Sequence, residues 1–212
     1  MVIRSNTMIR CCDPFRWMLC LAALLFVLPL RAADDARARD VVGELAARFR
    51  AMKAYTVIFA VEGADFAADG SYAVEGDRYY MRVGDAEAYC DGRSKWEVDP
   101  SKREVVIDVV DTTSRSLLSN PTRAFDFLDD AFRSELLPSE GGVRRLRLVP
   151  TDKGAVMSSI TVDVASDGSP RAVTYDLDGE RIRIAIRRIE PSAEVRRFDA
   201  VRYAGYELID FR

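Results

Sequence analysis

Few side chains in this sequence could perform chemistry on a substrate. None of its 212 residues is histidine, which removes histidine-based triads and histidine metal sites. Three of the four cysteines, Cys11, Cys12 and Cys20, fall in the N-terminal stretch, so Cys90 is the single thiol beyond residue 32. That excludes a cysteine zinc site and an intramolecular disulfide in the remainder. Cys90 follows Tyr89 in a strand-like run, where a thiol serves as a small apolar side chain. Carboxylates are plentiful, but Asp126, Asp129 and Asp130 have no apolar or paired setting and read as a solvated acidic face. No acidic run has calcium-loop spacing, and neither a phosphate loop nor a dinucleotide glycine pattern occurs. The expectation is a protein that is not an enzyme, needs no cofactor and holds no metal. What remains is apolar recognition. Phe59, Tyr72, Tyr79, Tyr80 and Trp96 recur at strand spacing and either line a pocket or fill a core.

The N-terminus reads as an export signal. Arg4, Arg10 and Arg16 precede an uncharged apolar run from Trp17 to Leu30, which ends in Arg31-Ala32-Ala33. The run is short for a membrane span. Cleavage after Ala32 puts Leu30 three positions before the cut; cleavage after Ala33 puts Arg31 there. No cysteine stands where a lipid would be attached, so the expected product is soluble. Residues 1–32 are assigned as a secretory signal peptide and 33–212 as one domain. Removing 1–32 takes away four of 31 basic residues and one of 34 acidic ones, leaving 27 against 33 and a net charge of −6. That is no nucleic-acid footprint.

A helix is expected over Asp34 to Lys53, with Asp34 and Asp35 as caps, a stripe of Val41, Leu45, Phe49 and Met52, and an exposed Glu44–Arg48 pair. Short strands follow: Tyr55–Val61, Ser71–Glu75, Arg78–Val83, Ala86–Cys90, Arg93–Val98 and Arg103–Val110. Turns are expected at Asp69-Gly70, Gly76-Asp77, Gly84-Asp85, Asp91-Gly92 and Asp99-Pro100. Such short links imply an antiparallel meander. Asn120-Pro121 then signals a second helix whose apolar face is Ala124, Phe125, Leu128 and Phe132. Strands resume at Val143–Val149, Val156–Val164, Arg171–Leu177 and Arg181–Ile189. In the last of these, Ile182, Ile184 and Ile186 alternate with Arg181, Arg183 and Arg187, giving one apolar and one basic, solvated face. A sheet of about ten strands must curl, close or split. If it curls, its inner face becomes an apolar trough that two amphipathic helices could cover.

The residues also resemble a family. The Asp91-Gly92 turn with Trp96, the Glu104-Val105 strand, Asn120-Pro121, and the ending Phe198-Asp199, Tyr203, Gly205, Ile209-Asp210 and Arg212 together are similar to the periplasmic outer-membrane lipoprotein carriers, the LolA-like family. The resemblance covers nearly all of residues 33–212. It implies an α+β fold: a curled antiparallel sheet forming an incomplete, half-open β-barrel with two or more lid helices. It implies a periplasmic carrier that holds the acyl chains of lipoproteins and moves them from inner to outer membrane. The implied partners are acylated lipoproteins or lipid, an inner-membrane extraction complex and an outer-membrane acceptor. The family's arginine-proline pair on an early strand, which helps hold the lid shut, is replaced here by Gly76-Asp77.

Strand alternation nominates Val57, Phe59, Val61, Tyr72, Val74, Tyr79, Met81, Trp96, Val98, Val105 and Ile107 as trough residues. Helix stripes nominate Leu45, Phe49, Leu117, Leu118, Phe125 and Leu128 as the lid. A one-residue slip in register would exchange the faces of any strand. The alternative reading is a lipid-sensing or envelope-stress interaction module on the same half-barrel. Related modules of that kind carry a further C-terminal domain, whereas this sequence stops at Arg212. Paired carboxylates facing one another in the trough would instead suggest an enzyme acting on lipid or glycan.

Overall fold

The structure is a computed structural model that describes residues 28–127, 131–138 and 141–212. The signal assigned to 1–32 therefore lies mostly outside the described residues, as do Leu128, Asp129 and Asp130. Helix α1 spans Leu28–Ala51 and twelve strands follow: β1 Ala54–Glu62, β2 Ala67–Glu75, β3 Arg78–Val83, β4 Ala86–Cys90, β5 Ser94–Asp99, β6 Glu104–Val109, β7 Phe132–Leu137, β8 Arg144–Pro150, β9 Met157–Val164, β10 Pro170–Leu177, β11 Glu180–Glu190 and β12 Glu207–Asp210. All belong to one sheet, ordered β12-β6-β5-β4-β3-β2-β1-β11-β10-β9-β8-β7. The sheet curls but does not close, because β12 and β7 remain its two edges. This is the expected half-open barrel. Every neighbouring pair is antiparallel except β12, which runs parallel to β6.

The first strand lies mid-sheet. β1 pairs with β2 on one side and with β11 on the other, so it joins the β2–β6 meander to the β8–β11 meander. Its alternation is strict: Tyr55, Val57, Phe59 and Val61 are buried, and the residues between them are not. In β11 the isoleucines face inward. Outside, Arg181 pairs with Asp176, Arg187 with Asp69, and Arg183 and Arg145 with Asp163, so neighbouring carboxylates offset much of the basic face.

Four local expectations need correction. First, α1 starts earlier than Asp34, which places Asp34 and Asp35 within the helix rather than at its cap. Second, the Glu44–Arg48 pair gives way to tertiary contacts: Glu44 pairs with Arg144 on β8, and Arg48 donates to the Asp167 carbonyl. Third, Asp69-Gly70 is not a turn but part of β2. Gly70 sits opposite Phe59, where a Cβ would fall 2.5 Å from the ring. Fourth, among the described residues no second α-helix follows Asn120-Pro121. The cap forms, with the Asn120 side chain accepting from the Thr122 amide, and the described residues continue as a 3-10 turn, Pro121–Arg123. Phe132 then opens strand β7. Phe132 and Leu136 fit both helical and strand spacing, and pairing with β8 decides for the strand.

Candidate functional site

The concave face of the sheet is continuously apolar. Register places Val57 opposite Tyr72 and Tyr72 opposite Met81, and Val74 opposite Tyr79. On the other side, Val61 lies opposite Ile184, Ile184 opposite Val173, Val173 opposite Val162, and Val162 opposite Leu146. All of these are buried in one cluster. The floor thus includes Leu146, Leu148, Ile160, Val162, Val173, Tyr175, Ile184 and Ile186, which the trough assignment did not include. Their alternation was visible in the sequence; what was missing was the β1–β11 pairing that brings them to the same surface.

Four nominated trough residues lie elsewhere. Trp96, Val98, Val105 and Ile107 belong to a second cluster on the convex face, with Tyr80, Tyr89 and Tyr203. Tyr80 pairs with Tyr89, Tyr89 with Trp96, and Trp96 with Ile107, so these side chains share one face. On β5 the residues that share the trough's side are Lys95 and Glu97. Alternation shows that one face of a strand is buried, but not which side of the sheet it joins. Here the cover comes from the C-terminal segment. Phe198 stacks between Trp96, at 5.3 Å, and Tyr203, at 5.6 Å. Asp199 caps the 3-10 turn Ala200–Tyr203, and Gly205, at φ 85°, turns the chain into β12. The Glu87 carboxylate accepts from Tyr203 at 2.6 Å, from Tyr80 at 2.5 Å and from Arg202 at 3.3 Å. Burial pushes the Glu87 pKa up, but these donors outweigh it and hold the carboxyl below its ordinary range. The C-terminal residues behind the family resemblance therefore build a clamp on the outer face.

Two elements roof the floor. One is α1, which lies along β7 and buries Ala38, Val41, Val42, Leu45 and Phe49. The other is the described part of the chain after β6, residues 110–127, a strap that buries Leu117, Phe125 and Phe127 and half-buries Leu118. Roof and floor meet in an aromatic seam. Phe49 stacks on Phe125 at 4.0 Å and meets Tyr55 edge-on at 5.2 Å, and Tyr72 lies between Tyr55 and Phe59. Asp126 of the strap pairs with Arg50 of α1 at 2.5 Å and with Arg123 at 3.1 Å. Desolvation raises the Asp126 pKa, yet both arginines together bring it below the usual carboxylate value.

Tyrosine hydroxyls tie the strap to the floor. Tyr55 donates to the Pro121 carbonyl at 3.4 Å and Tyr79 to that of Ser119 at 3.3 Å. Tyr175 accepts from the Leu117 amide at 2.9 Å and donates to the Arg115 carbonyl at 3.4 Å. The bonded strap residues are 115, 117, 119 and 121. Gly76-Asp77, standing where the carriers have arginine-proline, forms the β2–β3 turn, with Gly76 at φ 59°. Neutral hydroxyls of the floor thus hold strap residues 115, 117, 119 and 121.

Cavities open on either side of the roof. One of about 460 Å³ lies by the end of α1, between Met52, Lys53, Tyr55, Val74 and Phe125. Another of about 370 Å³ lies over Met81, Val83, Ala88 and Val106, with Leu118 of the strap at its border. Both are within the size range of ligand sites, about 300–1,000 Å³. Among the described residues no group of three metal-ligating side chains converges. Nor is any described helix long and apolar enough to cross a membrane.

No protein-family model matches the chain, and no curated protein matches it significantly. Solved structures do resemble it. An outer membrane lipoprotein-sorting protein domain from Vibrio parahaemolyticus superposes with a TM-score of 0.43 at 11% identity, over 74% of this chain and 92% of that one. A LolA superfamily protein from Nitrosomonas europaea gives 0.37 at 10% identity, over 79% and 97%. MucB gives 0.47 at 16% identity, over 82% and 66%. At these scores the likeness concerns architecture, and the functional reading stands on the chain's own geometry.

Proposed function

We propose that the protein is a periplasmic carrier that holds the acyl chains of lipoproteins in the concave trough and moves them between membranes. It binds its cargo and does not transform it. The observation that carries this reading is the construction of the interior. The apolar floor is roofed by a strap whose described residues form little regular structure and are held by hydroxyl contacts, an ion pair, an aromatic stack and the burial of Leu117, Phe125 and Phe127. Neutral hydrogen bonds contribute about 0.5–1.5 kcal/mol each, and exposed ion pairs about 0–1 kcal/mol. Lifting the roof also uncovers Leu117, Phe125 and Phe127, at about 1.5–3 kcal/mol each, and exposes a continuous apolar surface, so the cargo must return that cost. Burying an acyl chain there gains about 0.8 kcal/mol per methylene. Closing the strap again recovers the roof contacts and favours release, as a carrier requires.

Native mass spectrometry of the protein recovered gently from its own cell envelope tests this. A bound lipid-modified protein supports the carrier and identifies its cargo. A bound free lipid moves the function to the lipid-sensing module. An apo mass, together with no uptake of a fluorescent acyl probe, refutes the trough reading. The inner-membrane extraction complex and the outer-membrane acceptor are the partners this role calls for, and crosslinking from the rim of the trough tests them.

A further inference from the structure

One side chain in the trough is chemically out of place. Tyr72 is 1% exposed and stands mid-floor, between Val57 of β1 and Met81 of β3. Its ring packs against Tyr55 and Phe59, as an apolar floor requires. Its hydroxyl, however, is buried and has no hydrogen-bond partner among the described residues. Phenylalanine would fill the same space without that penalty, so the hydroxyl lowers the stability of the closed form. Burial, with smaller contributions from Tyr55 and Tyr175, raises its pKa well above the ordinary value, so it stays a proton donor throughout the physiological range.

The neighbouring hydroxyls suggest what it awaits. Tyr55, Tyr79 and Tyr175 each donate to a backbone carbonyl of the strap. In the closed form, three of the four floor hydroxyls are therefore satisfied by carbonyl oxygens. Tyr72 alone has no acceptor there. A plain alkyl chain beside it would leave that donor unmatched, whereas a chain bearing a carbonyl would not. A site whose buried donors need an acceptor discriminates strongly against an analogue that lacks one.

We propose that Tyr72 donates a hydrogen bond to the ester carbonyl of the trough ligand, and that the site thereby selects acyl esters over alkyl ethers of equal length. This rests on the trough being the ligand site, and assigns Tyr72 as a specificity-determining residue within it. No bond is made or broken; the hydroxyl stays protonated, and the carbonyl supplies the lone pair.

The test compares a monoacylglycerol with the alkyl-glyceryl ether of the same chain length, each displacing a fluorescent acyl probe from the protein. The wild type is expected to prefer the ester by about tenfold or more. Tyr72→Phe should reduce that preference to within about twofold and raise the thermal midpoint of the ligand-free protein, because the unmatched hydroxyl is gone. An unchanged ester-to-ether ratio overturns the inference while leaving the carrier reading intact. A lower ligand-free midpoint in Tyr72→Phe also overturns it, since the hydroxyl would then already have a partner. Failure of the wild type to bind either probe overturns the carrier reading and the inference together.

Discussion

Replacing Phe125 by alanine separates a detachable roof from an integral core. Phe125 is 3% exposed and stacks on Phe49 at 4.0 Å. Burying such a ring is worth about 2–3 kcal/mol, and the stack adds about 0.5–1.5 kcal/mol. The loss of about 2.5–4.5 kcal/mol falls on strap docking, since the strands keep all their ladder bonds. At about 1.4 kcal/mol per tenfold, the lifted population rises about 60- to 1,600-fold. Amide hydrogen exchange reads this directly. The Leu117 amide, which donates to the Tyr175 hydroxyl, should exchange faster by that factor. Amides of β1, bonded between β2 and β11, should keep their protection. Acyl-probe uptake should also tighten, because less of the binding free energy goes into opening the strap. A uniform loss of protection across strap and sheet would refute the reasoning, for the strap would then unfold only with the whole domain.

Three further outcomes are expected. Trp96→Ala should loosen the C-terminal segment, read as faster proteolysis within residues 191–199, and leave acyl-probe binding unchanged, since Trp96 stacks on Phe198 on the convex face. Gly70→Ala should cost about 1–3 kcal/mol in denaturant unfolding, as the added Cβ meets a fully buried Phe59 ring and, at 3.0 Å, the Arg82 carbonyl. Glu87→Gln should cost about 1–2 kcal/mol at neutral pH through its weakened tyrosine and arginine bonds. Because the Glu87 pKa is depressed in the folded protein, its contribution is present above the ordinary carboxylate range and is lost as pH falls through the folded value. The difference between wild type and variant should therefore shrink on acidification, with Trp96 fluorescence as the local probe.

The strands and most turns were legible in the sequence because each is specified locally. Tyr55 to Val61 alternates without a break, and Gly76-Asp77, Gly84-Asp85 and Asp91-Gly92 mark the hairpins where they occur. Gly70 misled for a physical reason. A glycine after aspartate signals a turn, but here it leaves room for the Phe59 ring across the strand pair. Trp96 and Val98 were legible as buried but not as convex, because their cover, Phe198 and Tyr203, lies a hundred residues downstream. The roof was half legible. The stripe of α1 marks it, whereas the helical spacing of the strap's apolar residues misleads, and its described part is fixed by single contacts such as the Leu117 amide to Tyr175. Nothing local in the sequence distinguishes Tyr72 from its satisfied neighbours.

The central place of β1 also bears on how the protein is made. Val61 must find Ile184, and the β2–β6 meander is complete long before β11 exists. Until β11 arrives, one edge of β1 carries unpaired amides and carbonyls beside bare Val57, Phe59 and Val61, a surface prone to pairing with other chains. Closing so long a loop also slows the last pairing step. A chain crossing a membrane from its N-terminus would spend that interval as an incomplete sheet with an uncovered apolar face. Holding factors on the far side, or rapid provisional docking of α1, would then govern yield more than the stability of the finished fold.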